Sequence, residues 1–141
     1  IVIGDGCMMA HGSYITDSDW HGIYDRINRD ETVKPVRLGN NVWLGDRATV
    51  LKGVTIGDNS IVAASSVVTK DIPANVIVAG NPAVIVRELD EGETRYTRSD
   101  MFANPEETLA YFRALDATLL AENTTWRWLT RAIFPRSRRE Q

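Results

Sequence analysis

A chain of 141 residues with 25% charged and 43% hydrophobic residues has the length of one domain with room for an appendage, and a globular composition. Its net charge of −3 gives no electrostatic case for nucleic acid, and no apolar run is long enough to cross a membrane. A single cysteine excludes an internal disulfide and suits a reducing compartment such as the cytoplasm.

The chain opens inside a repeat: Ile3, Met9 and Ile15 are evenly spaced, with a period of six. Nothing around Ile1 has the charged n-region or cleavage site of a leader, and the repeat starts without a cap. The expectation is that an N-terminal part of the protein precedes this sequence. The beat then fails between Ile15 and Leu38, a gap nearly four times the period. The intervening stretch from Asp17 to Pro35 is polar, too long for a turn, and reads as a protruding loop, bounded here at 17–37. It holds His21, with Asp17 and Asp19 close by in sequence. The other histidine, His11, falls on an outward corner position.

From Leu38 the period returns through Leu44, Val50, Ile56, Val62 and Val68. The residue after each large aliphatic is mostly small: Gly4, Ala10, Gly39, Gly45, Gly57 and Ala63. The fourth position holds Gly6, Gly12, Asn41, Gly53 and Asn59, residues that accept left-handed backbone in turns. The fifth holds Cys7, Ser13, Val42, Ala48, Val54, Ser60, Ser66 and Ile72, mostly small enough to share an interior. Cys7 is therefore a packing residue, and nothing near it in sequence would activate its thiol. A period of six fits neither a helix, with its period near 3.6, nor an alternating strand. It marks a repeat architecture in which each hexapeptide is a short strand and a turn. Three hexapeptides close a triangular coil, stacking Leu38 under Ile56, Leu44 under Val62 and Val50 under Val68.

After Asp90 the rhythm is gone. Asn104 followed by Pro105-Glu-Glu is a helix start, and Leu109, Phe112, Leu115, Leu119 and Leu120 continue at helical spacing. A second segment, Thr125–Phe134, combines Trp126, Trp128, Leu129, Ile133 and Phe134 with Arg127 and Arg131, and Arg136, Arg138 and Arg139 follow. Residues 123–141 could pack on the β-helix or a neighbouring subunit, or lie as a peripheral contact on an anionic membrane surface such as the inner membrane face. Packing is the preferred reading. Asn75, Gly80, Asn81 and Pro82 read as the turns that end the coil.

The ordered set Leu38-Gly-Asn-Asn-Val-Trp-Leu-Gly-Asp46, Gly53-Val-Thr-Ile-Gly-Asp-Asn-Ser60, Val68-Thr-Lys-Asp-Ile-Pro73 and Ala79-Gly-Asn-Pro82 resembles the hexapeptide-repeat acyltransferases. Within them it looks most like the branch of maltose, galactoside and nodulation-factor O-acetyltransferases. The resemblance covers roughly residues 3–89 and implies a mainly β fold, a left-handed parallel β-helix with an inserted active-site loop and a C-terminal helical extension. The left hand comes from the resemblance alone, since parallel crossovers are generally right-handed. The expected division is a β-helix acyltransferase domain at 1–89 and a helical extension at 90–141.

The resemblance implies acetyl-CoA as acyl donor, no metal, and a homotrimer whose sites lie between subunits. A histidine where the loop leaves the coil is the family's general base, which assigns that role to His21. The chemistry needs one, because a hydroxyl attacking a thioester must lose its proton and a neutral imidazole can take it. Asp17 or Asp19 could orient the ring. Carried over residue by residue, the positions for the donor are Trp43, Asp46, Ala64, Thr69, Lys70 and Arg87. Ala64 would let a pantetheine run against the backbone, and Lys70 and Arg87 suit phosphates. Asp46 replaces a serine of some relatives, and Val84 stands where the family usually has Lys or Arg.

The function implied is O-acetyl transfer to a sugar or glycan hydroxyl, in the cytoplasm or peripherally at the inner membrane face. N-acetyl transfer to an amino sugar would use the same base and donor, and a non-catalytic scaffold is a further alternative. A zinc carbonic anhydrase of this fold needs three histidines, and this sequence has two.

Overall fold

The computed structural model describes residues 1–28, 32–93, 97–121 and 123–133. They fall into two compact units, divided between Ser99 and Asp100. The first unit is built from nine two-residue strands, β1 (Val2–Ile3) to β9 (Val67–Val68), and two longer ones, β10 (Val76–Ala79) and β11 (Val84–Glu88). The strands form three sheets, ordered β1-β4-β7, β11-β10-β8-β5-β2 and β3-β6-β9. These are the three faces of a triangular prism, and the chain visits each face once per coil. Coil follows coil every three hexapeptides, with Arg37 beside Thr55, Trp43 beside Ile61 and Thr49 beside Val67. The pairing is parallel throughout except at β11, which folds back antiparallel on β10.

The hexapeptide slots explain this arrangement. Leu44, Val50, Ile56, Val62 and Val68 are fully buried and stack as the pairing register dictates, Leu38 on Ile56, Leu44 on Val62 and Val50 on Val68. Burying each such side chain contributes about 1.5–3 kcal/mol. The fifth slot joins the same interior: Val42, Ala48, Val54, Ser60 and Ser66 are all buried. The two serines bring their own partners, Ser60 Oγ donating to the Pro73 carbonyl at 2.7 Å and Ser66 Oγ accepting from the Gly80 amide at 3.1 Å. Cys7 packs against the core, its Sγ 3.2 Å from the Gly39 carbonyl. In the first coil Ile3 and Met9 are half-exposed.

The small second slot reflects how closely the coils approach. A β-carbon on Gly45 would lie 2.6 Å from the Ala64 amide nitrogen and 2.8 Å from the Val62 carbonyl oxygen. The fourth slot is left-handed at Gly6, Gly12, Asn41, Gly53 and Asn59, and also at Arg47 and Ser65, whose side chains do not announce it. At one corner this geometry lines asparagines up. Asn41 Nδ2 donates to Asn59 Oδ1 at 3.0 Å, Asn59 Nδ2 to Asn75 Oδ1 at 3.0 Å, and Asn75 Nδ2 to Glu91 Oε1 at 2.9 Å.

α1 (Arg98–Ala103) starts at the end of the first unit and runs into the second, which contains α2 (Pro105–Leu120) and α3 (Thr125–Ile133). Asn104 occupies the cap position of α2, but its side chain donates to Glu107 Oε2 at 2.8 Å rather than accepting a backbone amide. Phe134 and the arginines at 136, 138 and 139 lie outside the described residues. Among the described residues no helix is long and apolar enough to cross a membrane.

Candidate active site

The loop leaves the prism after β3 and returns into β4, so the register jumps there from Val2 to Arg37, nearly twice the step from Arg37 to Thr55. Its two legs are fastened at the base. The Lys34 amide donates to the Asp17 carbonyl at 2.8 Å, Ser18 and Val33 form an antiparallel bridge, and the Ser18 and Thr32 hydroxyls lie 2.9 Å apart. Thr32 is buried although it belongs to a polar loop, because it faces this junction. Above it Trp20 adopts φ 67°, its amide bonded to Ser18 Oγ, and the chain turns outward. The tip closes through Asp25, whose Oδ1 accepts from the Ile27 and Asn28 amides, and through Gly22 N–H donating to the Asn28 carbonyl at 3.0 Å. Gly22, Ile23, Tyr24, Asp25, Asn28 and Thr32 line an open depression of about 200 Å³.

His21 sits at the start of this tip, exposed, with Nδ1 2.7 Å from the Arg26 carbonyl oxygen. A carbonyl can only accept, so the hydrogen belongs on Nδ1 and the neutral ring presents its lone pair at Nε2. Asp19 forms an ion pair with Lys52 Nζ, and among the described residues neither Asp17 nor Asp19 bonds to His21. The partner of the His21 ring nitrogen in the structure is a backbone carbonyl further along the same loop. Local sequence carries no signal for it, since every residue has a carbonyl. Lys52 was equally invisible: it is remote from Asp19 in sequence and meets it because positions 17 and 52 occupy the same corner of successive coils.

The six positions for the donor fall into three exposed groups. Trp43, Ile61, Ile77 and Arg87 are register partners in one row across the five-stranded sheet, so Trp43 and Arg87 share its outer face, opposite buried Leu44, Val62 and Val78. Asp46 and Ala64 belong to the next corner, where the Ser65 amide donates to the Asp46 carbonyl at 2.8 Å. Thr69 and Lys70 stand directly after β9, on the same corner of the prism from which the loop departs after β3, with Lys52 on the coil between. Among the described residues these groups stand on one face and two corners of the prism. Among the described residues no group of three His, Cys, Asp or Glu could hold a metal ion.

Residues 35–70 match the family described as bacterial transferase hexapeptide (six repeats). The chain is 36% identical over 102 residues to galactoside O-acetyltransferase of Escherichia coli K12, covering 71% of this chain and 50% of that protein. A solved galactoside acetyltransferase in complex with coenzyme A is 40% identical, with a TM-score of 0.60, covering 67% of this chain and 48% of the other. A hexapeptide-repeat acetyltransferase of Vibrio cholerae solved with acetyl-coenzyme A is 30% identical, with a TM-score of 0.50, covering 64% of this chain and 61% of the other. The chain spans about half the length of the galactoside acetyltransferases it matches. A coil of opposite hand would not superpose on the galactoside acetyltransferase at this score. Residues 35–70 carry the hexapeptide repeats of that transferase family, and the prism is a left-handed parallel β-helix.

Proposed function

We propose that this protein is an acetyl-CoA-dependent O-acetyltransferase that transfers the acetyl group directly to a sugar or glycan hydroxyl, with His21 as general base. The observation that carries this reading is the 2.7 Å contact between His21 Nδ1 and the Arg26 carbonyl. It leaves Nε2 free to accept a proton from an acceptor hydroxyl. The hydroxyl oxygen then attacks the thioester carbonyl, and Nε2 returns the proton to the departing thiolate. No covalent intermediate on the enzyme is needed. Asp19, tied to Lys52, anchors the leg of the loop that carries His21, and Asp17 supports its base through its carbonyl. Exposed Ala64 leaves room for a pantetheine along the corner, Trp43 flanks it, and Thr69, Lys70 and Arg87 serve the nucleotide and its phosphates.

These groups occupy different faces of one prism, which supports a trimer in which the face of one copy meets the loop corner of the next. The test is thiol release from acetyl-CoA over a panel of sugars and amino sugars, with product linkage read by mass spectrometry. His21→Ala is expected to lower kcat about 10²–10⁴-fold. Undiminished turnover in that variant refutes the mechanism, and an amide product refutes O-transfer.

A further inference from the structure

α3 is a nine-residue helix with two chemically opposed sides. Trp126, Leu129 and Ile133 follow one another at spacings of three and four, along one helical face, while Trp128, two positions after Trp126, stands outside it at the border with the arginine side. All four are exposed, Trp126 at 73% and Trp128 at 65%. Arg127 is exposed on the other side of the helix, and Arg131 follows it by four positions in sequence. The charge of the chain is divided unevenly. Residues 123–141 hold five arginines and one glutamate, +4, so the remainder of the chain, whose total is −3, carries −7. Two of the four tryptophans of the whole protein lie in this same short helix.

We infer that α3 docks in the plane of an anionic lipid surface, its apolar face in the acyl boundary and its arginines among the headgroups. Three properties select this occupant. Nine residues rise only about 13 Å, far short of a span, so the helix lies on a bilayer rather than through it. Tryptophan joins a large apolar ring to one N–H donor, which matches the headgroup boundary better than a dry protein core. The charge is complementary to acidic lipid: α3 holds two arginines and no acidic residue, so the same helix on a second copy would set like charge against like. The inference is independent of the acetyl-transfer reading, since it uses no residue assigned there.

The test is co-sedimentation of the full chain with vesicles of phosphatidylcholine mixed with phosphatidylglycerol, and with pure phosphatidylcholine, at low and high salt. Partition onto the anionic vesicles at low salt is expected to exceed that onto neutral ones by tenfold or more, to fall with salt, and to shift the tryptophan emission to the blue. Trp126→Ala with Trp128→Ala should lower it at least tenfold. Arg127→Gln with Arg131→Gln, which leaves the apolar face intact and guards against a folding defect, should weaken the preference for anionic lipid severalfold, since it halves the +4 of residues 123–141. Equal partition of wild type and both variants, or no binding to anionic vesicles, overturns the inference. Loss of oligomeric mass in the tryptophan variant with no change in vesicle binding assigns the face to a second copy and overturns it as well.

Discussion

Asn59 is the middle rung of the asparagine ladder, and replacing it separates two effects that the coil combines there. Its Oδ1 accepts from Asn41 and its Nδ2 donates to Asn75, each at 3.0 Å, and its backbone sits at φ 60°. Asn59→Ala removes both hydrogen bonds, about 0.5–1.5 kcal/mol each. It also places a β-carbon without a polar compensation in the left-handed region, adding about 1 kcal/mol. The expected loss is about 2–4 kcal/mol. Asn59→Gly removes the same two bonds but accepts the left-handed backbone, while giving part of that back through the greater freedom of the unfolded chain. It should therefore be more stable than Asn59→Ala by about 0.5–1 kcal/mol. Urea unfolding followed by circular dichroism, at one fixed protein concentration so that any assembly contributes equally, measures both differences. If Asn59→Gly is no better than Asn59→Ala, the backbone term is wrong. If both stay within about 0.5 kcal/mol of wild type, the ladder is not a stabilising element at all.

Three further outcomes are expected. Lys52→Gln frees Asp19; as a partly exposed pair its loss should change stability by less than about 1 kcal/mol, yet kcat should fall about tenfold because the leg bearing His21 is no longer held, and an unchanged kcat rejects that coupling. Gly45→Ala forces a methyl to within 2.6 Å of the Ala64 amide nitrogen and should destabilise the coil by about 1–3 kcal/mol; a wild-type melting temperature would show that the coils can separate freely there. Lys70→Gln should raise KM for acetyl-CoA about tenfold with little change in kcat, as expected for a charge-assisted contact, and leave KM for acetyl-pantetheine unchanged. An equal rise with both donors would place Lys70 away from the nucleotide.

The coil was legible in the sequence because its packing is strictly local in pattern. From Leu38 onward one large aliphatic in every hexapeptide is buried, so Leu44, Val50 and Val62 announce their own stacking partners. The loop was legible as a failure of that pattern between Ile15 and Leu38. What stayed hidden are contacts that depend on the coil's closure rather than on its period. Lys52 meets Asp19 only because a corner repeats, and the partner of His21 is a backbone oxygen that no side chain identifies. Arg47 and Ser65 hid their left-handed backbone behind unremarkable chemistry, whereas Asn41 and Asn59 disclosed theirs. The asparagine ladder lay between these cases: the turn residues were readable, but their bonding to one another needed the stack.

The fastening of the loop at its base has a consequence for how such proteins diversify. Ser18 and Val33 close the excursion before it leaves the corner, and beyond it the strands resume their pairing as though nothing had been added. The scaffold therefore senses only the two ends of the segment, not its length or content. A corner of this kind is a socket: segments of other lengths and sequences can be exchanged there, each bringing its own recognition chemistry, while the hydrophobic stack underneath is inherited unaltered.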